Sequence, residues 1–122
     1  GDIIAGASPM RSTANSKWVT SIEEYPSKTY PIYVSGAAYV ISGDLISDLY
    51  DAALSTPFFW IEDVFITAFC ARKTKAKHIF SPKFHNRKYV DNFCAWKNAI
   101  SVHKVTTEQL ILGWETIHSK HC

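Results

Sequence analysis

Apolar side chains recur at helical spacing in three stretches of the chain. In residues 44–54 they follow one another three or four positions apart, and the same spacing returns in residues 62–73. Both stretches are predicted to be helices, with Ser42 near the start of the first as a candidate N-cap. Thr106 and Gln109 form the signature of a capping box ahead of a third apolar stripe. This predicts a last helix that runs almost to the C-terminus.

Strand signals are short and few. The segment YVSGAAYVIS, residues 33–42, places small residues before an apolar triplet, which is typical of a tight bend that enters a strand. Short strands are also predicted within KHIFSP and NAISVHKV, whereas Pro26 and Pro31 rule out a continuous helix in the polar lead-in. The pattern therefore predicts an α/β chain with three helices and only three short strands, which is little sheet for a complete domain.

Composition limits the chain to one domain and reveals one charged segment. With 122 residues, of which 47% are hydrophobic, there is material for a single core. No apolar run approaches the roughly 20 residues that span a bilayer. The net charge is only +2, but residues 72–88 hold seven of the 13 Lys and Arg residues and no acid. A nucleic-acid contact is the alternative for this stretch; a solvated loop is preferred because no RNA-recognition signature is present.

Two adjacent carboxylates, Glu62 and Asp63, stand directly after the apolar run FFWI and at the start of the second predicted helix. One interpretation is structural, because acids in a first turn complement the helix dipole. The other is chemical, because a carboxylate delivered by an apolar segment to a helix N-terminus is well placed to act as a base in a cleft. The structural interpretation is favoured from this stretch alone.

Histidine residues offer weaker candidates for chemistry. His103 lies in or at the end of a predicted strand, where a hydrogen-bonded, half-buried histidine is favoured over a ligand. The tail HSKHC groups His118, His121 and Cys122, but its spacing matches no common zinc pattern. A metal site built from the tail is therefore disfavoured.

Tryptophan and cysteine residues leave their roles open. The tryptophans are interpreted as core residues in preference to sugar-binding surfaces. They are Trp18, Trp60, Trp96 and Trp114. The three cysteines allow one disulfide and one leftover thiol, or three thiols. They are Cys70, Cys94 and Cys122.

Several short motifs occur in an order and spacing that identify a family. They are Lys17-Trp18, Glu24 to Pro26, Tyr30-Pro31, Ser35-Gly36 with Tyr39, Glu62 to Val64, and Val102-His103. In this order they resemble the beta-1,3-galactosyltransferase family, whose members are inverting sugar-nucleotide enzymes, and the resemblance covers essentially the whole chain. It departs where Val34 stands in place of a common Cys, and where Ala37, Ala38 and Ala68 stand in place of common glycines.

The resemblance implies a larger enzyme. It implies that residues 1–122 are the C-terminal half of a catalytic domain of the GT-A type, with the nucleotide-binding half, its Asp-x-Asp motif and a membrane anchor outside these residues. It implies transfer of a hexose, galactose or N-acetylglucosamine, from a UDP-sugar to a glycan acceptor on a glycoprotein or glycolipid, in beta-1,3 linkage with inversion. The implied location is the lumenal side of the Golgi membrane, and the fragment alone is expected to be inactive.

The resemblance also assigns roles to residues. It implies that Asp63 is the catalytic base that takes the proton of the acceptor hydroxyl, and that His103 is a ligand of Mn²⁺, which is held mainly through the Asp-x-Asp motif. Donor or acceptor binding is assigned to Glu62, Ser35, Gly36 and Tyr33. An oxidising lumen makes Cys70 and Cys94 a candidate disulfide, with Cys122 as another partner and no choice available from sequence.

Two rival functions remain beside the transferase. The half-domain can be a carbohydrate- or protein-binding remnant without chemistry, which predicts that no Asp-x-Asp motif lies upstream. A nucleic-acid binder using residues 72–88 predicts binding that weakens steeply with salt.

Overall fold

The structure is a computed structural model that describes residues 1–6, 17–86, 92–120 and 122. Two basic residues of the 72–88 stretch, Arg87 and Lys88, lie outside the described residues, as does His121 of the tail. The described residues combine helices with short strands, which confirms the α/β class.

A three-stranded sheet forms around the first strand of the chain. Strand β1, Asp2–Ala5, pairs antiparallel with β2, Tyr39–Ile41, and parallel with β3, Lys77–Phe80. The sequence pattern predicts no strand before residue 33, so β1 was missed. Ser42 is the N-cap residue of the 3-10 helix that precedes the first long helix, as predicted, but its side chain makes no capping hydrogen bond. Its hydroxyl instead accepts a hydrogen bond from the Asp2 backbone N–H at 2.7 Å.

A second, smaller sheet lies in the C-terminal third. Strand β4, Phe84–His85, pairs parallel with β5, Ser101–Val102. The described residues therefore form five strands, not the three that were predicted. The strand expected within NAISVHKV is confirmed but covers only its two central residues.

All three predicted helices are present. A short 3-10 helix, Gly43–Leu45, leads into α1, Ile46–Leu54. The second helical segment begins as α2, Glu62–Val64, widens into a π-helix over Phe65–Cys70, and ends as a 3-10 helix over Ala71–Lys73.

The last helix, α3, spans Thr107–His118 and starts with the predicted capping box. Gln109 donates its backbone N–H to the Thr106 hydroxyl at 3.2 Å, and its side-chain oxygen accepts the Thr106 N–H at 2.9 Å. No helix among the described residues is long and apolar enough to cross a membrane.

Two apolar clusters form the core. The first joins β1 to α1 and to the end of the π-helix, and contains Ile3, Ala5, Val34, Leu45, Leu49, Ala52, Cys70 and Ala71. The second is aromatic and lies behind the acidic pair; it contains Tyr33, Phe59, Ile61, Val64, Ala68 and Phe69. The expectation that tryptophans are core residues is wrong for Trp18, Trp60 and Trp114, whose side chains are 51%, 41% and 65% exposed.

Two contacts join α3 and the C-terminal Cys122 to the 3-10 helix Phe93–Asn98. Gly113 is the buried residue of α3, and a Cβ at this position would come within 2.4 Å of the Trp96 ring, which lies in this 3-10 helix. The second contact is a disulfide between Cys94 and Cys122. The Cys70–Cys94 pairing is therefore wrong, because Cys70 is a free thiol that is fully buried in the first core cluster.

Candidate functional site

The acidic pair lies at the point where an extended segment becomes a helix. Ile61, with φ −84° and ψ 100°, is the extended N-cap residue, and its 7% exposed side chain is held in the aromatic cluster. Glu62 and Asp63 then form the first turn, where carboxylates complement the helix dipole. One Asp63 oxygen, Oδ1, accepts the Val64 backbone N–H at 2.9 Å. The structural interpretation is therefore correct: the two acids occupy the first turn of the helix, and Asp63 accepts one of its backbone N–H groups.

The second Asp63 oxygen reaches a distant part of the chain. Oδ2 accepts the backbone N–H of Gly36 at 2.7 Å, although the two residues are 27 positions apart. No described glycine has a positive φ, so Gly36 is not needed for an unusual backbone conformation. A Cβ at Gly36 would lie 3.1 Å from Oδ2 and 3.3 Å from the Asp63 Cβ and Cγ atoms. Glycine is needed here because it lets the backbone approach the carboxylate closely.

The Thr67 hydroxyl links the segment that contains Gly36 to the helix that carries Asp63. Its fully buried hydroxyl accepts the Val34 N–H at 3.0 Å and donates to the Asp63 backbone carbonyl. The Thr67 carbonyl in turn contacts His78 Nε2 at 2.6 Å. Two alternate residues of the incoming segment, 34 and 36, are thus fixed to one face of the helix that carries Asp63. No chemical motif in the sequence points to Thr67, which is a polar residue four positions after Asp63 within an apolar stretch.

We expect Thr67→Val to destabilise the protein by about 1–3 kcal/mol, because the substitution leaves the buried Val34 N–H without its acceptor. Urea unfolding monitored by circular dichroism measures the effect. Thr67→Ser, which keeps the hydroxyl but loses a methyl group, is the matched control and should be the milder of the two changes. An equal or larger loss in the serine variant would mean that methyl packing, rather than the hydrogen bond, explains why Thr67 is needed.

The environment of Asp63 raises the pKa of its carboxyl group. Burial is the main cause and the Glu62 charge adds to it, while the hydrogen bonds from Gly36 and Val64 act in the opposite direction. Asp63 therefore binds a proton more readily than an ordinary aspartate. A pKa closer to neutrality is a property that a general base needs.

Two tyrosines beside the pair stay protonated. Burial, followed by the charge of Asp63, raises the pKa of Tyr33 to about 12. Burial and the hydrogen bond that the Tyr39 hydroxyl donates to Glu62 Oε1 also raise the pKa of Tyr39. Both phenols are hydrogen-bond donors at physiological pH, so the site offers carboxylate acceptors and phenolic donors side by side.

The acid side of the pH–rate profile should move when Glu62 is neutralised. Because the Glu62 charge raises the pKa of Asp63, Glu62→Gln lowers that pKa, and the ionised form of Asp63 then persists to lower pH. In a protein that joins this segment to its upstream half, we expect the acid limb of kcat/KM to shift toward lower pH in this variant. Asp48→Asn, which removes an exposed carboxylate of α1, is the control and should leave the limb in place. A limb that stays fixed in Glu62→Gln would show that a different group governs it.

The structure brings most of the predicted site residues together. Gly36 donates to Asp63, Glu62 is its neighbour in the helix, and the charge of Asp63 acts on Tyr33. Ser35 precedes Gly36, and its hydroxyl accepts the Ala37 N–H at 3.3 Å.

His103 lies directly after β5 and is not joined to these residues by the contacts described above. Its exposed side chain belongs to the second sheet, and its backbone N–H donates to the His85 carbonyl at 3.0 Å. The expectation of a half-buried histidine at this position is therefore wrong. Within the described ranges there is no cluster of three or more His, Cys, Asp or Glu side chains that could hold a metal ion.

Comparison with known proteins gives consistent matches. The family model described as Galactosyltransferase matches residues 1–82. Beta-1,3-galactosyltransferase 1 of Homo sapiens and of Mus musculus is 30% identical over 120 residues, which is 98% of this chain and 36% of the relative. Beta-1,3-galactosyltransferase 2 of Homo sapiens is 29% identical over 125 residues, covering 99% of this chain and 29% of the relative. The chain thus spans about a third of the length of these relatives.

Proposed function

The chain belongs to the galactosyltransferase family, and we propose that it carries the acceptor-binding and proton-accepting part of an inverting beta-1,3-hexosyltransferase. The proposed donor is a UDP-sugar, UDP-galactose or UDP-N-acetylglucosamine, and the proposed acceptor is a sugar hydroxyl of a glycoprotein or glycolipid glycan. The observation that carries the proposal is the Asp63 carboxylate, which is fixed by two backbone N–H groups and has a raised pKa.

In the proposed reaction, Asp63 accepts the proton of the acceptor hydroxyl while the hydroxyl oxygen attacks the anomeric carbon of the donor sugar. The bond from this carbon to the diphosphate breaks, and UDP leaves with the electron pair. Attack from the side opposite the leaving group inverts the anomeric centre. Because Gly36 and Val64 already hold both carboxylate oxygens, the base keeps its position without reorganisation. Glu62, Ser35 and Tyr33 are proposed to orient the acceptor or donor hydroxyls.

Within these residues, His103 is the proposed ligand of Mn²⁺. An exposed imidazole is a suitable nitrogen ligand, but His103 is not in a three-ligand cluster within the described part of the chain. The remaining ligands in the proposal are the carboxylates of an upstream Asp-x-Asp motif. The metal would supply charge neutralisation at the diphosphate.

The whole enzyme is proposed to be larger than these residues. Relatives of about three times the length support a larger enzyme. The proposal adds an upstream nucleotide-binding half that completes a GT-A type domain. A membrane anchor and a location on the lumenal side of the Golgi membrane are part of the same proposal. The 122 residues alone are proposed to be inactive.

The test is release of UDP by a protein that joins this segment to its upstream half, assayed with Mn²⁺, UDP-galactose or UDP-N-acetylglucosamine, and simple glycoside acceptors. The 122-residue chain is assayed in parallel. Release that requires metal, donor and acceptor together supports the transferase. Absence of release under every pairing, from a folded protein that still binds a glycan, would favour the non-catalytic remnant instead.

A further inference from the structure

Two tryptophans, Trp18 and Trp60, form an exposed pair of rings, here called the tryptophan pair. Their ring centroids lie 6.2 Å apart and the ring planes differ by only 15°. The side chains are 51% and 41% exposed, so a large aromatic surface faces solvent. Burial of two such rings would stabilise the fold, and their exposure forgoes that stabilisation. Exposed aromatic patches of this kind are typical of ligand-binding surfaces.

The tryptophan pair rests on the aromatic core. The Trp60 ring contacts the ring of Phe59, with centroids 6.5 Å apart, and Phe59 is only 7% exposed. Phe59 in turn packs edge to face on Phe69 at 5.2 Å. On the outer side, Lys17 Nζ lies 4.7 Å from the centroid of the Trp18 ring. The Trp60 ring is therefore packed against the aromatic core through Phe59, while part of each tryptophan ring remains accessible to solvent.

The position of the pair connects it to the acidic residues. Trp60 is followed by Ile61, the N-cap residue of α2, and then by Glu62 and Asp63. Because Phe59 and Ile61 are both anchored in the second core cluster, the exposed Trp60 ring between them has a fixed base next to the proposed site.

We propose that the tryptophan pair binds the apolar face of a pyranose ring of the acceptor glycan; this rests on the proposed transferase function. One face of a hexopyranose presents C–H groups with partial positive charge, which complement the negative face of an aromatic ring. A sugar that lies flat on the pair keeps its hydroxyls at its edge. These hydroxyls can then turn toward Glu62 and Asp63, which accept hydrogen bonds.

Saturation-transfer NMR on the 122-residue chain tests this without any need for turnover. The probes are methyl β-D-galactopyranoside and methyl β-D-N-acetylglucosaminide, with mannitol as a polyol that has no ring. We expect saturation of at least one glycoside, strongest at the protons of one ring face, and none of mannitol. Trp60→Ala should weaken binding by about tenfold, the loss typical of removing one aromatic stacking partner.

Matched variants separate stacking from loss of structure. Trp114→Ala removes an exposed tryptophan from α3 and should leave binding unchanged, while Trp60→Phe should retain most of it. If circular dichroism shows that Trp60→Ala is unfolded, Trp18→Ala replaces it in the test and should weaken glycoside binding by the same factor.

Three results would overturn the assignment: no saturation of either glycoside, binding in Trp18→Ala and Trp60→Ala that is as strong as in the unmodified protein, or competition by UDP. A concentration-dependent dimer that Trp60→Ala abolishes, without glycoside binding, would assign the pair to a second copy of the chain. The UDP-release assay reports on the transferase proposal separately, because release by a protein whose tryptophan pair binds no glycoside contradicts this inference alone.

Discussion

Asp63→Asn should lower turnover by at least about a hundredfold, the lower bound for losing a positioned general base. The substitution preserves the shape of the side chain but removes the lone pair and the charge that accept the proton of the acceptor. We expect little change in the affinity for the donor, because the change acts on the proton transfer. Steady-state kinetics of UDP release, with donor and acceptor varied separately, measure both effects in the protein that includes the upstream half.

Controls must separate chemistry from folding in this variant. An amide has one carbonyl oxygen, so either the Gly36 or the Val64 N–H loses its acceptor and some stability is lost. Thermal unfolding therefore accompanies the kinetics, and Asp48→Asn provides an exposed carboxylate change on α1 that should leave turnover intact. The residual activity of Asp63→Asn should also lack the acid limb assigned to Asp63. Turnover close to that of the unmodified protein would remove Asp63 from the role of base.

Burial of Asp63 favours its role as a base but makes its ionised form less stable in the folded protein. A carboxyl whose pKa is raised by folding contributes stability at low pH, below its pKa in the unfolded chain, and this contribution is lost as the pH rises through the raised value. The ionised form that a base needs is therefore less favourable in the folded protein than it is for an ordinary aspartate. Two backbone N–H groups offset part of this cost, and they come from opposite directions: the helix itself and the Gly36 segment.

Local patterns in the sequence predict the helices and half of the site. The three-and-four spacing predicts α1 and α3, and the Thr106–Gln109 capping box forms as its signature predicts. The acidic pair is recognisable because it interrupts an apolar run. These features depend on residues within one or two helical turns, which is the range over which periodicity carries information.

Features that depend on distant residues were missed. β1 is a four-residue strand between two partners that begin 37 and 75 residues after it, at Tyr39 and Lys77. The approach of Gly36 to Asp63 crosses 27 positions, and Thr67 matters only because Val34 needs an acceptor. Such contacts arise from the packing of helices and strands on one another, so no local sequence motif predicts them. The same holds for the tryptophan pair, which sequence reasoning placed in the core.

Reduction of the Cys94–Cys122 disulfide should destabilise the folded chain by about 3–4 kcal/mol, a factor of about 10² to 10³ in the folding equilibrium. The bond closes a loop with a sequence separation of 28, and this loop contains β5 and α3. Few other contacts can compensate, because Gly113 is the buried residue of α3 while Leu110, Ile111, Leu112 and Trp114 are more than half exposed. Urea unfolding with and without reductant measures the loss, and amide hydrogen exchange should accelerate first in α3.

The free cysteine provides the decisive control for the pairing. Cys70→Ala creates a small core defect, so its stability falls slightly, but the further drop on reduction should equal that of the unmodified protein. Cys94→Ala should show the opposite behaviour: lower stability from the start and no response to reductant. If the response to reductant disappeared in Cys70→Ala instead, Cys70 would be a partner in the disulfide. Because Cys70 lies in the first core cluster and Cys122 follows α3, the two outcomes also differ in which part of the chain loses hydrogen-exchange protection.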